Sequence, residues 1–144
     1  MSKIKIDLPE KFFNVSIQIP VRITDINYGN HVGNDSLVSI IHEARVQFLH
    51  HHGFKELNIE NEVGLIMSGL MIEFKNECFY KDIIDVKIAS SDITRVSFQL
   101  FYQLSTERNN DKMIIANAKT TMVCFDYKIK KVAAIPVRLK EILT

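Results

Sequence analysis

Between Val21 and Arg45 the hydrophobic period of the chain changes once, and that change constrains the fold more than any other feature. Residues 14–24 (NVSIQIPVRIT) alternate polar and apolar around Pro20, the pattern of a strand that is bulged or lies at a sheet edge. From Ser36 to about His51, Leu37, Ile40, Ile41, Ala44, Phe48 and Leu49 recur at three- and four-residue steps, which predicts a helix. Asn34, Asp35 or Ser36 is available as its N-cap, and His52-Gly53-Phe54 ends it with glycine in the C′ region. Val38 and Val46 widen the apolar surface, so the helix is expected to be largely enclosed by sheet. Between strand and helix lie Asp25 and His31. The order therefore brings a carboxylate and an imidazole to a helix N-terminus, where unpaired N–H groups and the positive dipole end attract developing negative charge. Such a layout suits attack on a carbonyl compound.

Four β-like runs follow, at approximately 63–77, 82–94, 95–106 and 113–127. Phe98, Leu100, Tyr102 and Leu104 alternate with Ser97, Gln99, Phe101 and Gln103, as in a half-buried strand. Glu107–Lys112 is a polar turn and predicts a hairpin. Lys128–Ala134 extends or returns the last strand, and Pro136 starts a short helix, VRLKEIL. Strand, one long helix and a meander of four antiparallel strands make an α+β fold, with the helix packed on an antiparallel sheet. The length of 144 residues, with three prolines and five glycines, no linker and no repeat, fits one domain over 1–144. A strand face that one helix leaves uncovered calls for a second copy of the chain.

The net charge of +1 argues against generic binding to nucleic acid or an anionic membrane surface. No window reaches the roughly 18 consecutive apolar residues of a membrane span. The stretch MSKIKIDLPEKFF has neither the long apolar run nor the cleavage site of a signal peptide. Cys78 and Cys124 sit in apolar runs without metal-type spacing, so buried free thiols and a reducing, cytoplasmic location are expected.

Each candidate site residue also has an ordinary structural role open to it. Asp25 is either a turn cap or the base or nucleophile of a hydrolytic reaction. His31 is either a turn histidine held by a backbone carbonyl or a group that orients a substrate carbonyl. Backbone N–H groups near Val32 and Gly33 are candidate oxyanion donors, with Asn34 at the helix entry. Gly29 and Gly33 allow backbone freedom or close approach of substrate. His50-His51-His52 does not read as a metal site, because consecutive helical residues splay by about 100°. His42-Glu43 lacks the second histidine of HExxH, since residue 46 is Val46. Glu43 is left to pair with Gln47 or a lysine, or to face the site as a second carboxylate. No phosphate-binding glycine loop and no GxSxG elbow occurs. Lys128, Lys130 and Lys131 form a small basic run, either a solvated face or point charges for a phosphate.

The segment VRITDINYGNHVGNDSLVSIIHEAR resembles a pattern like VRxxDxDxxGHVNNxxYLxxxExAR, found in hotdog-fold acyl-CoA thioesterases of the 4-hydroxybenzoyl-CoA thioesterase type. Val21, Arg22, Asp25, His31, Val32, Asn34, Leu37 or Val38, Glu43, Ala44 and Arg45 carry the match. Downstream the family often has an aromatic strand end, a proline-containing bend and a Gly-Asp turn. Phe74, Glu77 and Lys81-Asp82 occupy those places here. The resemblance implies a sheet wrapped around one long central helix, Asp25 as catalytic carboxylate and the helix N-terminus as oxyanion site. It further implies homodimers or homotetramers with shared sites, and no metal or redox cofactor. Asn27 stands where the family often has a second aspartate, Asn30 where it has glycine, and Gly33 where it has asparagine. Asn30 can adopt a left-handed backbone, so the turn can survive.

The leading expectation is an acyl-CoA thioesterase releasing a carboxylic acid and coenzyme A. The alternative is a non-catalytic binder of acyl thioesters, favoured by Asn27 and Gly33. A dehydratase of the same architecture is a third, weaker reading. Phe98, Phe101, Met67, Met71 and Met122 offer apolar surface for an acyl group, but core packing draws on the same residue types.

Overall fold

The computed structural model describes residues 4–144; the single-domain expectation also covers residues 1–3, which lie outside the described residues. The elements are β1 (Gln18–Pro20), a 3-10 turn (Ile23–Asp25), α1 (Asn34–His51), β2 (Val63–Phe74) and β3 (Ile83–Ser91). They continue with β4 (Ser97–Arg108), β5 (Asp111–Asp126), β6 (Lys131–Val132) and α2 (Val137–Leu143). The sheet is antiparallel in the order β1-β3-β4-β5-β2, with β6 returning beside β5. It curls around α1 in the expected hotdog arrangement.

The periodicities read from the sequence account for the core. Phe98, Leu100, Tyr102 and Leu104 of β4 and Leu37, Ile40, Ile41, Ala44, Phe48 and Leu49 of α1 are buried in one apolar cluster. On the other sheet face Ile6, Leu8 and Phe12 of the N-terminal segment cover Ala89 and Phe101, so part of that face is covered from within the chain. Cys78 and Cys124 are buried and free, as expected.

Turn chemistry sets the joints. Arg108 pairs with Asp111 across a two-residue loop, and Asn109 and Asn110 both have positive φ, 52° and 67°. That is the primed turn whose twist suits a hairpin. At the end of α1 the Phe54 N–H donates to the Leu49 carbonyl and the Gly53 N–H to the His50 carbonyl. Gly53, at φ 83°, is thus the C′ residue of a Schellman cap.

Three expectations need correction. First, the strand over 14–24 is regular only at Gln18–Pro20, an edge position where proline costs no ladder hydrogen bond. Second, the N-cap of α1 is Gly33, not Asn34, Asp35 or Ser36. The Leu37 N–H donates to the Gly33 carbonyl, and the Asp35 carboxylate fills the space where a Cβ at 33 would sit, 2.7 Å from its Oδ1. Third, only β3, β4 and β5 form a meander, because β2 lies beyond β5 and pairs with it from Val63–Asp126 to Phe74–Ala116. Residues 75–82 cannot close a β2–β3 hairpin, since Lys75, Asn76, Cys78 and Asp82 bond to other elements. Among the described residues no helix is long and apolar enough to cross a membrane.

Candidate active site

The turn before α1 is built on Asp25. Its Oδ2 accepts the Arg22 backbone N–H at 2.8 Å and Arg22 Nε at 3.3 Å, while Arg22 Nη2 lies 3.2 Å from Oδ1. The carboxylate is almost wholly buried, its residue 3% exposed, whereas the Arg22 side chain reaches solvent. Hydrogen bonding to Asp25 and its negative charge raise the pKa of the Arg22 guanidinium. Ile26 and Val32 then form an isolated bridge that closes the loop carrying Asn27, Gly29, Asn30 and His31. Asn30 has φ 64°, the left-handed conformation anticipated for a residue in glycine's place.

His31, Val32, Asn34 and Leu37 line a cavity of about 200 Å³ with Phe74, Glu77, Cys78 and Ile115. Lys75 and Asn76 complete its lining, so the lysine at this cavity is not one of Lys128, Lys130 or Lys131. His31 Nδ1 lies 3.2 Å from the Val32 carbonyl. A carbonyl only accepts, so Nδ1 is the donor in this contact, and Nε2 is the nitrogen left to face Glu77. Glu77 Oε1 is 3.8 Å from that Nε2. The Cys78 thiol is pushed up to about 11, mainly by burial and then by Asp82, so it stays protonated and is no nucleophile at neutral pH.

The N–H groups expected to serve as oxyanion donors are already engaged. The Val32 N–H donates to the Cys78 carbonyl at 2.9 Å and the Gly33 N–H to the Asp25 carbonyl at 3.1 Å, so neither is free. They instead fasten the helix entry to the β2–β3 loop and to the 3-10 turn. Helix geometry leaves the N–H groups of residues 34–36, ahead of the Leu37–Gly33 bond, without an intrahelical acceptor. Asn34, the first residue of α1, lines the cavity together with His31. Asp25 is not among the residues lining it.

Other candidates resolve into structural roles. Gln47 donates to Glu43 at 2.7 Å. Glu56, which the sequence did not single out, receives Arg45 Nε at 2.7 Å and lies 2.9 Å from His42 Nε2. Arg45 Nη1 also donates to the Tyr102 hydroxyl, which is 2.7 Å from the Thr120 hydroxyl. Burial lowers the pKa of the Arg45 guanidinium, but Tyr102 and Glu56 outweigh it and hold the value raised. His52 packs edge-on against Phe48, and its pKa is lowered by burial and then by His51. Among the described residues no group of three His, Cys, Asp or Glu side chains is placed to hold a metal ion. Phe98 and Met122 belong to the core, and Met67 and Met71 lie exposed on β2. Of the signals for this cavity, Glu77 was visible only as an oddity, an acidic residue in the family's proline-containing bend.

A family profile described as the thioesterase-like superfamily matches residues 21–143. The structure is similar to a 1,4-dihydroxy-2-naphthoyl-CoA thioesterase from Synechocystis, with TM-score 0.79, 19% identity and coverage of 89% of this chain and 93% of that one. It is also similar to an aspartate-to-asparagine variant of 4-hydroxybenzoyl-CoA thioesterase in complex with 4-hydroxybenzoyl-CoA (TM-score 0.80, 15% identity, coverage 90% and 98%). A gentisyl-coenzyme A thioesterase gives TM-score 0.78 at 18% identity, covering 90% of this chain and 100% of that one. Comparison with curated proteins finds no match. At these identities the solved structures speak for the fold, while the profile spans most of the sequence. The chain therefore belongs to the thioesterase-like superfamily.

Proposed function

We propose that this protein hydrolyses an acyl-CoA thioester at the cavity beneath the N-terminus of α1. The observation that carries the reading is the meeting of His31 and Asn34 on one small cavity also lined by Leu37 and Ile115. The thioester carbonyl sits there with its oxygen toward the first-turn N–H groups of α1, Asn34 foremost. As the carbon becomes tetrahedral those donors and the helix dipole stabilise the oxyanion. His31 Nε2 removes a proton from water, and the resulting hydroxide oxygen forms the new bond to the carbonyl carbon. Collapse breaks the C–S bond and expels the thiolate, which takes the proton from His31. The products are a carboxylic acid and coenzyme A.

Asp25 is then a positioning residue that fixes the loop through Arg22 and Gly33. Direct attack by Asp25, the role the resemblance gives it, requires Arg22 to release the carboxylate. A second reading, binding without turnover, is supported by Asn27 in the place of the family's second aspartate and by the engagement of Asp25.

A homodimer, or a tetramer built from it, is part of the proposal. β2 ends the sheet order; residues 56–60 bond to its start at Val63 and Leu65, but beyond Leu65 its outer edge pairs with no other strand among the described residues, and Ile66, Met67, Met71 and Phe74 are exposed. A second copy satisfies that edge. The free buried thiols support a reducing, cytoplasmic setting.

The test is thiol release from acetyl-, octanoyl-, palmitoyl- and benzoyl-CoA, with His31→Gln beside the wild type. We expect release from at least one substrate and a kcat about 10²-fold lower in the variant. Saturable binding without release by the wild type would establish the binding-module reading instead.

A further inference from the structure

The carboxylate missing at position 27 is restored from another part of the chain, and the geometry points to Glu77 as its replacement. We infer that Glu77 supports the reaction through His31 by holding the imidazolium formed during turnover. This rests on the thioesterase reading above. Two departures from the family pattern flank His31. Asn27, uncharged, is in the His31 loop: its Oδ1 and His31 Nε2 lie 3.2 and 3.3 Å from a Cβ built on Gly29. Glu77, acidic in place of the family's proline-containing bend, approaches the same Nε2 at 3.8 Å and lines the same cavity.

The backbone beneath Glu77 is pinned on both sides, so the carboxylate is delivered from a fixed base although its side chain is well exposed. The Asn76 side chain donates to the Ile114 carbonyl at 2.7 Å, and the Asn76 N–H to the Ile115 carbonyl at 3.1 Å. Arg108 Nη2 donates to the Glu77 carbonyl itself at 2.7 Å and to Asp82 at the same distance. On the far side the Cys78 carbonyl accepts the Val32 N–H, tying the segment directly to the residue after His31.

The proton balance is simple. In this scheme His31 reacts in its neutral form, donating from Nδ1 to the Val32 carbonyl and accepting at Nε2. When Nε2 takes the water proton, a cation appears beside the Glu77 carboxylate, whose attraction lowers the barrier to that step. The proton then passes to the departing thiolate, and the pair returns to its starting charge. No net proton resides on Glu77. It touches neither substrate nor water in this scheme and is a positioning residue for His31.

A double-mutant cycle tests this, with thiol release from the best acyl-CoA of the panel and thermal melting measured on every variant. Glu77→Gln is expected to keep the wild-type Tm and KM and to lose about tenfold in kcat. In a His31→Gln background the same substitution should cost less than about twofold, because the group it serves is gone. An unchanged kcat in Glu77→Gln, or an equal loss in both backgrounds, would overturn the role of Glu77 and leave the thioesterase reading standing. Absence of release by the wild type would overturn both.

Discussion

Arg22 grips Asp25 twice, with its backbone N–H and with its guanidinium, and so converts the most conspicuous carboxylate of the sequence into the keystone of a turn. A carboxylate that accepts a backbone N–H three residues earlier closes the 3-10 turn much as a cap closes a helix. The Asp25 carbonyl in turn receives the Gly33 N–H. Both contacts hold the entry of α1 against the loop that carries His31.

Asp25→Asn should therefore lower stability before it abolishes chemistry. We expect Tm to fall by about 3–5 °C, with a kcat loss smaller than that of His31→Gln. Melting and thiol release on the same preparation check this. Loss of nearly all turnover with an unchanged Tm would instead return Asp25 to the role of nucleophile or base.

Glu56 is the anchor of a buried ionic network, so Glu56→Gln is expected to be costly. It leaves the Arg45 guanidinium, whose side chain is 5% exposed, without its anion. Breaking such a pair costs about 3 kcal/mol. Chemical denaturation should show this as a lower midpoint with the slope unchanged. Tyr102→Phe removes one neutral partner and should cost about 1 kcal/mol.

His52 makes stability fall on the acid side of neutrality. Burial lowers its pKa below the ordinary 6.5, so the unfolded chain takes up this proton more readily than the folded one. The contribution of His52 is complete above the unfolded value and declines as pH falls through it. Melting between about pH 7.5 and about pH 5.5 should show a shallower decline in His52→Gln than in the wild type. Equal slopes would place the acid sensitivity elsewhere.

The free edge of β2 predicts the assembly state. Met67→Lys with Met71→Lys places two like charges along a strand that a second copy must approach. Sedimentation or light scattering should show the wild type as a dimer or tetramer and the double variant shifted to the monomer. A wild-type monomer at micromolar concentration would remove the edge as an interface.

Local spacing sufficed for the elements themselves. The three- and four-residue recurrence of Leu37 through Leu49, the alternation of Phe98 through Leu104 and the Asn109-Asn110 turn each depend on neighbours close in the chain. Tertiary structure alone decided which strands pair and which site residues meet. β2 joins β5 instead of β3 because residues 75–82 make their hydrogen bonds with distant elements, a preference that no periodicity in β2 records. The same segment brings Glu77 to His31 across 46 residues of chain. Asp25 and His31, only six residues apart, have different surroundings, because Arg22 bonds to the buried carboxylate of one while the other lines the cavity. The sequence offered candidate residues by type and spacing. Which of them reaches the cavity depends on burial and on contacts between distant segments, and these exist only once the sheet has closed around α1.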